Sequence, residues 1–255
     1  LMDPEVPCGV TLAFTERTGG FSEGEFASLN LGSRCGDNLQ QVQKNRQLVL
    51  EALGAKEFFS RLLIPHQVHG SNVVCLISDT PEDFEQANTE AEAGADAIVC
   101  TVQNTPVMLA FADCVSVILV APGGFAVAHS GWKGTIARIS ARATEALCQV
   151  TGTKPSEVKA YIGPHIGSAD YEVSLELIQM FSQEFGPSVV DRASGERYLD
   201  LGYAVRAALV DAGVRESAIE EVTDSTASTT ERFFSYRAEH GKCGRHAAVA
   251  YMASK

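Results

Sequence analysis

The sequence predicts an α+β, or irregular α/β, fold in which a mixed β-sheet core is flanked by helices. Three observations carry this. Short apolar runs follow one another closely between residues 97 and 129, as consecutive buried strands do. Leu39, Val42, Arg46, Val49 and Leu53 are spaced 3-4-3-4, which is one face of a helix. Beyond residue 130, helical and strand patterns alternate without the regular βαβ period.

Taken in order, residues 10–15 read as a strand and residues 39–53 as a helix stopped by Gly54. Arg46 is the odd member of that helix's apolar face. Residues 62–67 and 73–78 read as a strand pair around His69-Gly70, and the acidic, Ala-rich stretch 80–94 as a surface excursion. Strands follow at 97–101, 107–111, 115–120 and 125–129, the last two joined by a turn at Pro122-Gly123-Gly124. Residues 135–150 form a helix with Ile136, Ile139, Ala143 and Leu147 on one face. A strand at 158–162 precedes helices at 174–185, stopped by Gly186-Pro187, and at 199–212, capped by Gly213. Strands at 232–236 and 247–252 close the chain.

The 255 residues show no internal repeat and no linker, so residues 1–255 are expected to form a single domain. A hydrophobic share of 45% supports a full core, and the net charge of −12 argues against binding nucleic acid or an anionic membrane surface. Residues 107–128 carry one charge, Asp113, but the Pro-Gly-Gly turn and the β-branched flanks mark strands rather than a membrane span. The N-terminal residues lack the pattern of a secretion signal. Seven scattered cysteines without a Cys-x-x-Cys motif read as reduced thiols, which predicts a cytoplasmic protein.

Three segments place a soft ligand at a strand end: His69 in Gln67-Val68-His69-Gly70, Cys114 after Asp113, and His129 before Ser130-Gly131-Trp132-Lys133-Gly134. Two imidazoles and a thiolate form a zinc site that keeps a coordination position open, where a bound water ionises near neutral pH. Taken singly, each has a plainer role: Cys114 as a small core residue, either His as a satisfied turn residue. The spacings, 45 and 15 residues, match no short metal motif. A second chemistry uses the same atoms, with Cys114 as nucleophile and His129 as base in a metal-free hydrolase or amidase. Lys133, at a strand-to-helix turn, and Arg46, Arg232 and Arg237 are candidates for contacts to a phosphate or a nucleobase. His165, in Gly163-Pro164-His165, reads first as a turn residue and second as a base.

Across its length the chain resembles the YfiH-type laccase-domain family, bacterial purine nucleoside phosphorylases formerly called polyphenol oxidases. The matching pieces are residues 15–22, Asn30-Leu31-Gly32, Asp37, Asn45-Arg46, residues 67–70, Ala95-Asp96-Ala97, Ala112-Asp113-Cys114 and residues 128–134. Ile162-Gly163-Pro164, Tyr171-Glu172-Val173, residues 233–237 and Gly244-Arg245 complete the set. The resemblance implies that His69, Cys114 and His129 bind zinc, with copper less favoured, and form the catalytic centre. It implies phosphorolysis of adenosine, inosine and methylthioadenosine, with adenosine deamination as a second activity, so that purine nucleosides and phosphate are the expected partners. Asp113 is the candidate proton shuttle for deamination. Family members often carry two Cys ahead of the Phe-Ser-Tyr-Arg segment; this chain has Ser225 and Ser228 in that stretch. Multicopper chemistry needs a His-rich cluster beside a blue-copper centre, which six His without a His-x-His pair do not furnish.

Overall fold

The computed structural model describes residues 9–254. Its centre is the hairpin of β5 (Val115–Ala121) and β6 (Gly124–Ser130), in which every residue is buried. Both strands are apolar on both faces because each face meets a different layer. Val115, Val117 and Leu119 of β5, with Ala126 and Ala128 of β6, face a layer of helices. Ile118, Val120, Phe125 and Val127 face a second sheet.

The hairpin lies inside a six-stranded mixed sheet of order β2-β3-β6-β5-β7-β8, formed with β2 (Val73–Leu76), β3 (Ala97–Cys100), β7 (Lys159–Ile162) and β8 (Ile219–Glu221). The β2–β3 and β7–β8 pairs are parallel and the other neighbours antiparallel. The second sheet has three antiparallel strands, β1 (Val10–Phe14), β9 (His246–Met252) and β4 (Val107–Phe111), in the order β1-β9-β4. Its inner face sets Leu12, Leu109, Phe111, Ala248 and Ala250 against the larger sheet. Its outer face sets Met108, Val249 and Tyr251 against α1 (Leu39–Ala52), which contributes Val49 and Leu50. On the far side of the larger sheet lie α4 (Ile139–Thr151), α5 (Leu175–Phe185) and α6 (Leu201–Asp211), packed through Ala143, Leu147, Phe181, Val205 and Leu209. Helix, sheet, sheet and helices thus form an α+β stack, and each fully buried Leu, Ile, Val or Phe contributes roughly 1.5–3 kcal/mol to it.

Four expectations need correction. Residues 62–67 do not pair with β2; they run along the free edge of β4, with one bridge between Leu63 and Val107. There the Gln67 amide completes the ladder by donating to Ala110 O at 2.8 Å and accepting from Ala110 N at 3.0 Å. The acidic stretch is a helix, α2 (Pro81–Gly94), whose Thr80 hydroxyl accepts from Asp83 N at 3.1 Å. Its buried face is made by Ala87 and Ala91, too small to print a strong apolar period. The predicted helix over 135–150 is two helices, α3 (Trp132–Ile136) and α4, separated by Arg138 at φ 57°. Residues 232–236 are irregular, between turns, rather than a strand, although Phe233, Phe234 and Ser235 are buried. No helix among the described residues is long and apolar enough to cross a membrane.

Candidate metal centre and cavity

The site begins where β4 turns into β5. Asp113 holds that turn at φ 86°. Its carboxylate accepts from the Thr226 hydroxyl at 2.7 Å and from Arg237 N at 2.6 Å, and its carbonyl accepts from Ile166 N at 3.0 Å. Both carboxylate oxygens are therefore committed to fixing the turn that presents Cys114, which leaves the suggested proton shuttle with a positioning role. His129, the penultimate residue of β6, lies on the face turned toward the second sheet, its ring 5.5 Å from that of Phe111.

Asp96, fully buried just before β3, ties the remaining parts together. One oxygen lies 2.7 Å from His129 Nδ1 and also accepts from His69 N at 2.9 Å. The other accepts from Gly70 N at 2.6 Å and Val68 N at 3.3 Å. One carboxylate thus orients an imidazole and folds the loop that carries the second imidazole, the arrangement found behind metal-binding histidines. His69 itself sits at φ 58° within that loop. The His69 and His129 rings meet edge to face, with centroids 4.7 Å apart. The ligand atoms of His69, Cys114 and His129 lie within 4.8 Å of one another, the one such group of three among the described residues. Gly131 permits this: a Cβ there would stand 2.8 Å from His69 Cδ2 and 3.0 Å from Cys114 Sγ.

Burial by itself pushes the Cys114 thiol up, but the charge of His129 and hydrogen bonds from both imidazoles outweigh it and bring the thiol down to about 6. Burial likewise works against charge on His129, yet Cys114 and Asp96 raise it to about 9. For Asp96 the cost of burial is outweighed by His129 and by the N–H groups of Gly70 and Val68, so its carboxyl is lowered. The cluster thus favours the thiolate, and its one soft sulfur and two imidazole nitrogens form a donor set compatible with a metal ion.

The cluster lies on the wall of a cavity of about 650 Å³, large enough for a nucleoside-sized ligand. Among the predicted residues, His69, Cys114, His129, Arg46 and Arg237 line it. Lys133 does not; it is exposed and lies 5.4 Å over the Trp132 ring. Arg232 is paired with Glu16 at 2.6 Å and Asp224 at 2.6 Å, away from the cavity. His165 is buried, with Nδ1 2.9 Å from Gly163 O and Nε2 3.7 Å from Glu221. Ser225 and Ser228 both donate to the Asp170 carboxylate, and neither lines the cavity.

Sequence reading gave no site role to several wall residues: Arg34, and Trp132, Tyr171, Tyr236 and Arg245 of the matched pieces. Arg237 lies 5.1 Å over the Tyr171 ring and Arg245 5.6 Å over that of Tyr236. Burial and the nearby Cys114 charge hold the Tyr171 phenol up to about 12, so it stays a hydrogen-bond donor. Arg46 is buried, and that burial lowers it to about 10 against the pull of Glu92 and Cys35, so it remains charged at neutral pH. Arg34 is paired with Glu92 at 2.9 Å. Arg46, Arg237 and Arg245 take part in no ion pair found among the described residues, which leaves a local positive wall in an acidic chain.

A sequence profile described as multi-copper polyphenol oxidoreductase laccase matches residues 11–253. The chain belongs to this laccase-domain family. A purine nucleoside phosphorylase of Deinococcus radiodurans is 36% identical over 241 residues, covering 93% of this chain and 87% of that protein. The purine nucleoside phosphorylase YfiH of Escherichia coli is 30% identical over 251 residues, covering 96% and 95%. The crystal structure of YlmD from Geobacillus stearothermophilus superposes with a TM-score of 0.86 at 30% identity, covering 99% of this chain and 94% of that one. Family membership and the shared fold extend over the strands and loops that carry the cluster.

Proposed function

We propose that the chain, acting as one domain, is a zinc-assisted purine nucleoside phosphorylase. The observation that carries this reading is the sharing of one cavity by the His69–Cys114–His129 cluster and by arginines without acid partners. The names carried by the relatives above support it. Two imidazoles and a thiolate suit zinc, with His69, Cys114 and His129 as the holding residues. Copper is the lesser option, because a multicopper oxidase needs a second His-rich cluster and the described residues offer only this one. When bound, such an ion supplies Lewis acidity at the cavity floor.

The chain's own residues do the rest. Asp96 holds His129 and the 68–70 loop in place. Trp132, Tyr171 and Tyr236 offer aromatic surface to a purine. Arg46 meets the phosphate, and Arg237, stacked on Tyr171, offers its charge to the nucleoside; Lys133 stands off the wall and has no part in this reading. In the reaction a phosphate oxygen bonds to the anomeric carbon of the ribose while the bond to the purine nitrogen breaks and the purine leaves with a proton. Adenosine deamination calls in addition for a proton-shuttling carboxylate. Asp113 is the acidic residue of the wall and both its oxygens are engaged, so phosphorolysis is the activity we favour. The free thiols of the described residues support a reducing, cytoplasmic setting.

The test is release of free base from adenosine, inosine and methylthioadenosine by the purified protein, with and without phosphate, beside a zinc assay. Phosphate-dependent release that Cys114→Ala abolishes supports the reading. Wild-type rates in a folded Cys114→Ala protein overturn it. The metal-free dyad of Cys114 and His129 predicts activity that survives chelation, and the presence of His69 in the cluster speaks against it.

A further inference from the structure

Arg46 and Arg245 come from distant parts of the chain, yet both are fastened to the same three residues, Asn30, Leu31 and Gly32. Arg46, on α1, donates through Nε at 3.0 Å and Nη2 at 2.8 Å to the Leu31 carbonyl. Arg245, just before β9, donates its backbone N–H to Asn30 Oδ1 at 2.8 Å and accepts from Leu31 N at 2.9 Å. Its side chain lies on Gly32 so closely that a Cβ there would stand 2.6 Å from Arg245 Cγ.

The loop itself is braced from behind. Asn45 donates to Asn30 O at 2.8 Å and Ser22 Oγ at 2.9 Å, and Asn30 donates to Asp37 at 2.8 Å. None of these braces neutralises the guanidinium groups. Arg46 spends Nε and one side of Nη2 on Leu31, which leaves the Nη1–Nη2 edge. Arg245 spends Nη1 on the carbonyls of Cys243 and Gly244, both at 2.8 Å, which leaves Nε and Nη2. Both residues line the cavity, and Arg46 is only 7% exposed. A buried guanidinium without an acid partner is costly unless an anion fills the place, and the planar fork of arginine matches two oxygens of a phosphate.

We infer that Arg46 and Arg245, gathered on the Asn30–Gly32 loop, form a prebuilt site for a phosphate dianion, with Gly32 the close-approach point that lets both reach it. This deepens the phosphorylase reading by assigning its second substrate a place, but it stands on geometry that does not involve the metal cluster. The shared chemistry has two sources, free phosphate or a phosphate carried on a nucleotide.

The experiment is calorimetric titration of the full-length protein with inorganic phosphate and, separately, with adenosine 5′-monophosphate, in the absence of nucleoside. The variants are Arg46→Lys, which keeps the charge but not the fork, Arg245→Gln and Gly32→Ala. Arg245→Gln, at a half-buried position, serves as the folded control should Arg46→Lys lose structure. We expect saturable phosphate binding in the wild type, weakened about tenfold or more in each variant, with zinc content unchanged. In turnover the phosphate KM rises while the nucleoside KM holds. Arg-dependent binding of the nucleotide alone also supports the site and assigns it to phosphate carried on the substrate. Phosphate affinity unchanged in folded Arg245→Gln and Arg46→Lys overturns the inference, even if phosphorolysis itself is observed. Arg-dependent phosphate binding without any phosphorolysis sustains the site and removes the phosphorylase reading.

Discussion

The two halves of the cavity wall are built by different means. The cluster side hangs mainly on strand ends: Cys114 immediately precedes β5 and His129 is the penultimate residue of β6, two strands buried throughout, while His69 sits in a loop held by Asp96. Main-chain pairing sets their positions, and β5 and β6 run in register from Val115↔Ser130 to Ala121↔Gly124. The arginine side is built from loops, and side-chain hydrogen bonds from Asn30, Asn45 and Asp37 replace the ladder. The contrast suggests a division of labour. Soft donors must converge to within a few tenths of an ångström, which strands provide, whereas an anion tolerates the looser placement of a braced loop.

Substitutions on each side sharpen that contrast. The largest effect is expected from Cys114→Ala, which removes the thiolate from the cluster: zinc per protein, read by elemental analysis, falls to near zero and turnover drops by at least ~100-fold. Asp96→Asn keeps the shape but weakens the hold on His129 Nδ1 and the 68–70 loop, so zinc affinity measured against a chromophoric chelator falls by ~10–100-fold. If Asp96→Asn left zinc affinity untouched, the cluster would not depend on its carboxylate brace. On the other side, Asn45→Ala strips three donor contacts from the 20–30 loop region and costs ~1–3 kcal/mol in denaturant unfolding. It is expected to raise the phosphate KM while leaving zinc binding intact; equal damage to both would erase the distinction between the two halves.

The last effect concerns pH and bears on stability rather than on the cavity. His246, at the start of β9, is buried, and burial lowers it to about 3 against the opposing pull of the Pro164 backbone. Folded protein therefore resists protonating it while the unfolded chain binds a proton near the usual value for histidine, so stability falls as pH drops from ~6.5 toward 3, by up to ~1.4 kcal/mol per pH unit. His246→Leu should flatten that part of the stability–pH curve measured by urea melts. An unchanged slope would assign the acid sensitivity of that range to other groups.

Much of this architecture was legible in the residues. The strands were read from apolar runs, and α1 from its spacing, because large side chains print their period. Helix α2 was not, because its buried face is Ala87 and Ala91; Thr80 followed by Pro81 was the signal available, a capping hydroxyl ahead of a proline in the first turn. Strand β8, three residues long and carrying two glutamates, owes its pairing to β7 rather than to its own sequence. For the site, resemblance singled out the cluster where spacing alone did not. Arg46 was visible as a charge on an apolar face, but Arg245 and Asp96, though within the matched pieces, carried no assigned role, because they act through contacts 26 to 215 residues away along the chain, which no local pattern encodes. Lys133 illustrates the converse, a suggestive position whose side chain turns to solvent.

Trp132 is the chain's single tryptophan, and it stands on the cavity wall with 37% of its surface exposed. The indole therefore makes the protein its own fluorescent gauge. Emission excited at the tryptophan band arises at the rim and nowhere else, so a purine laid against the ring dims or shifts it.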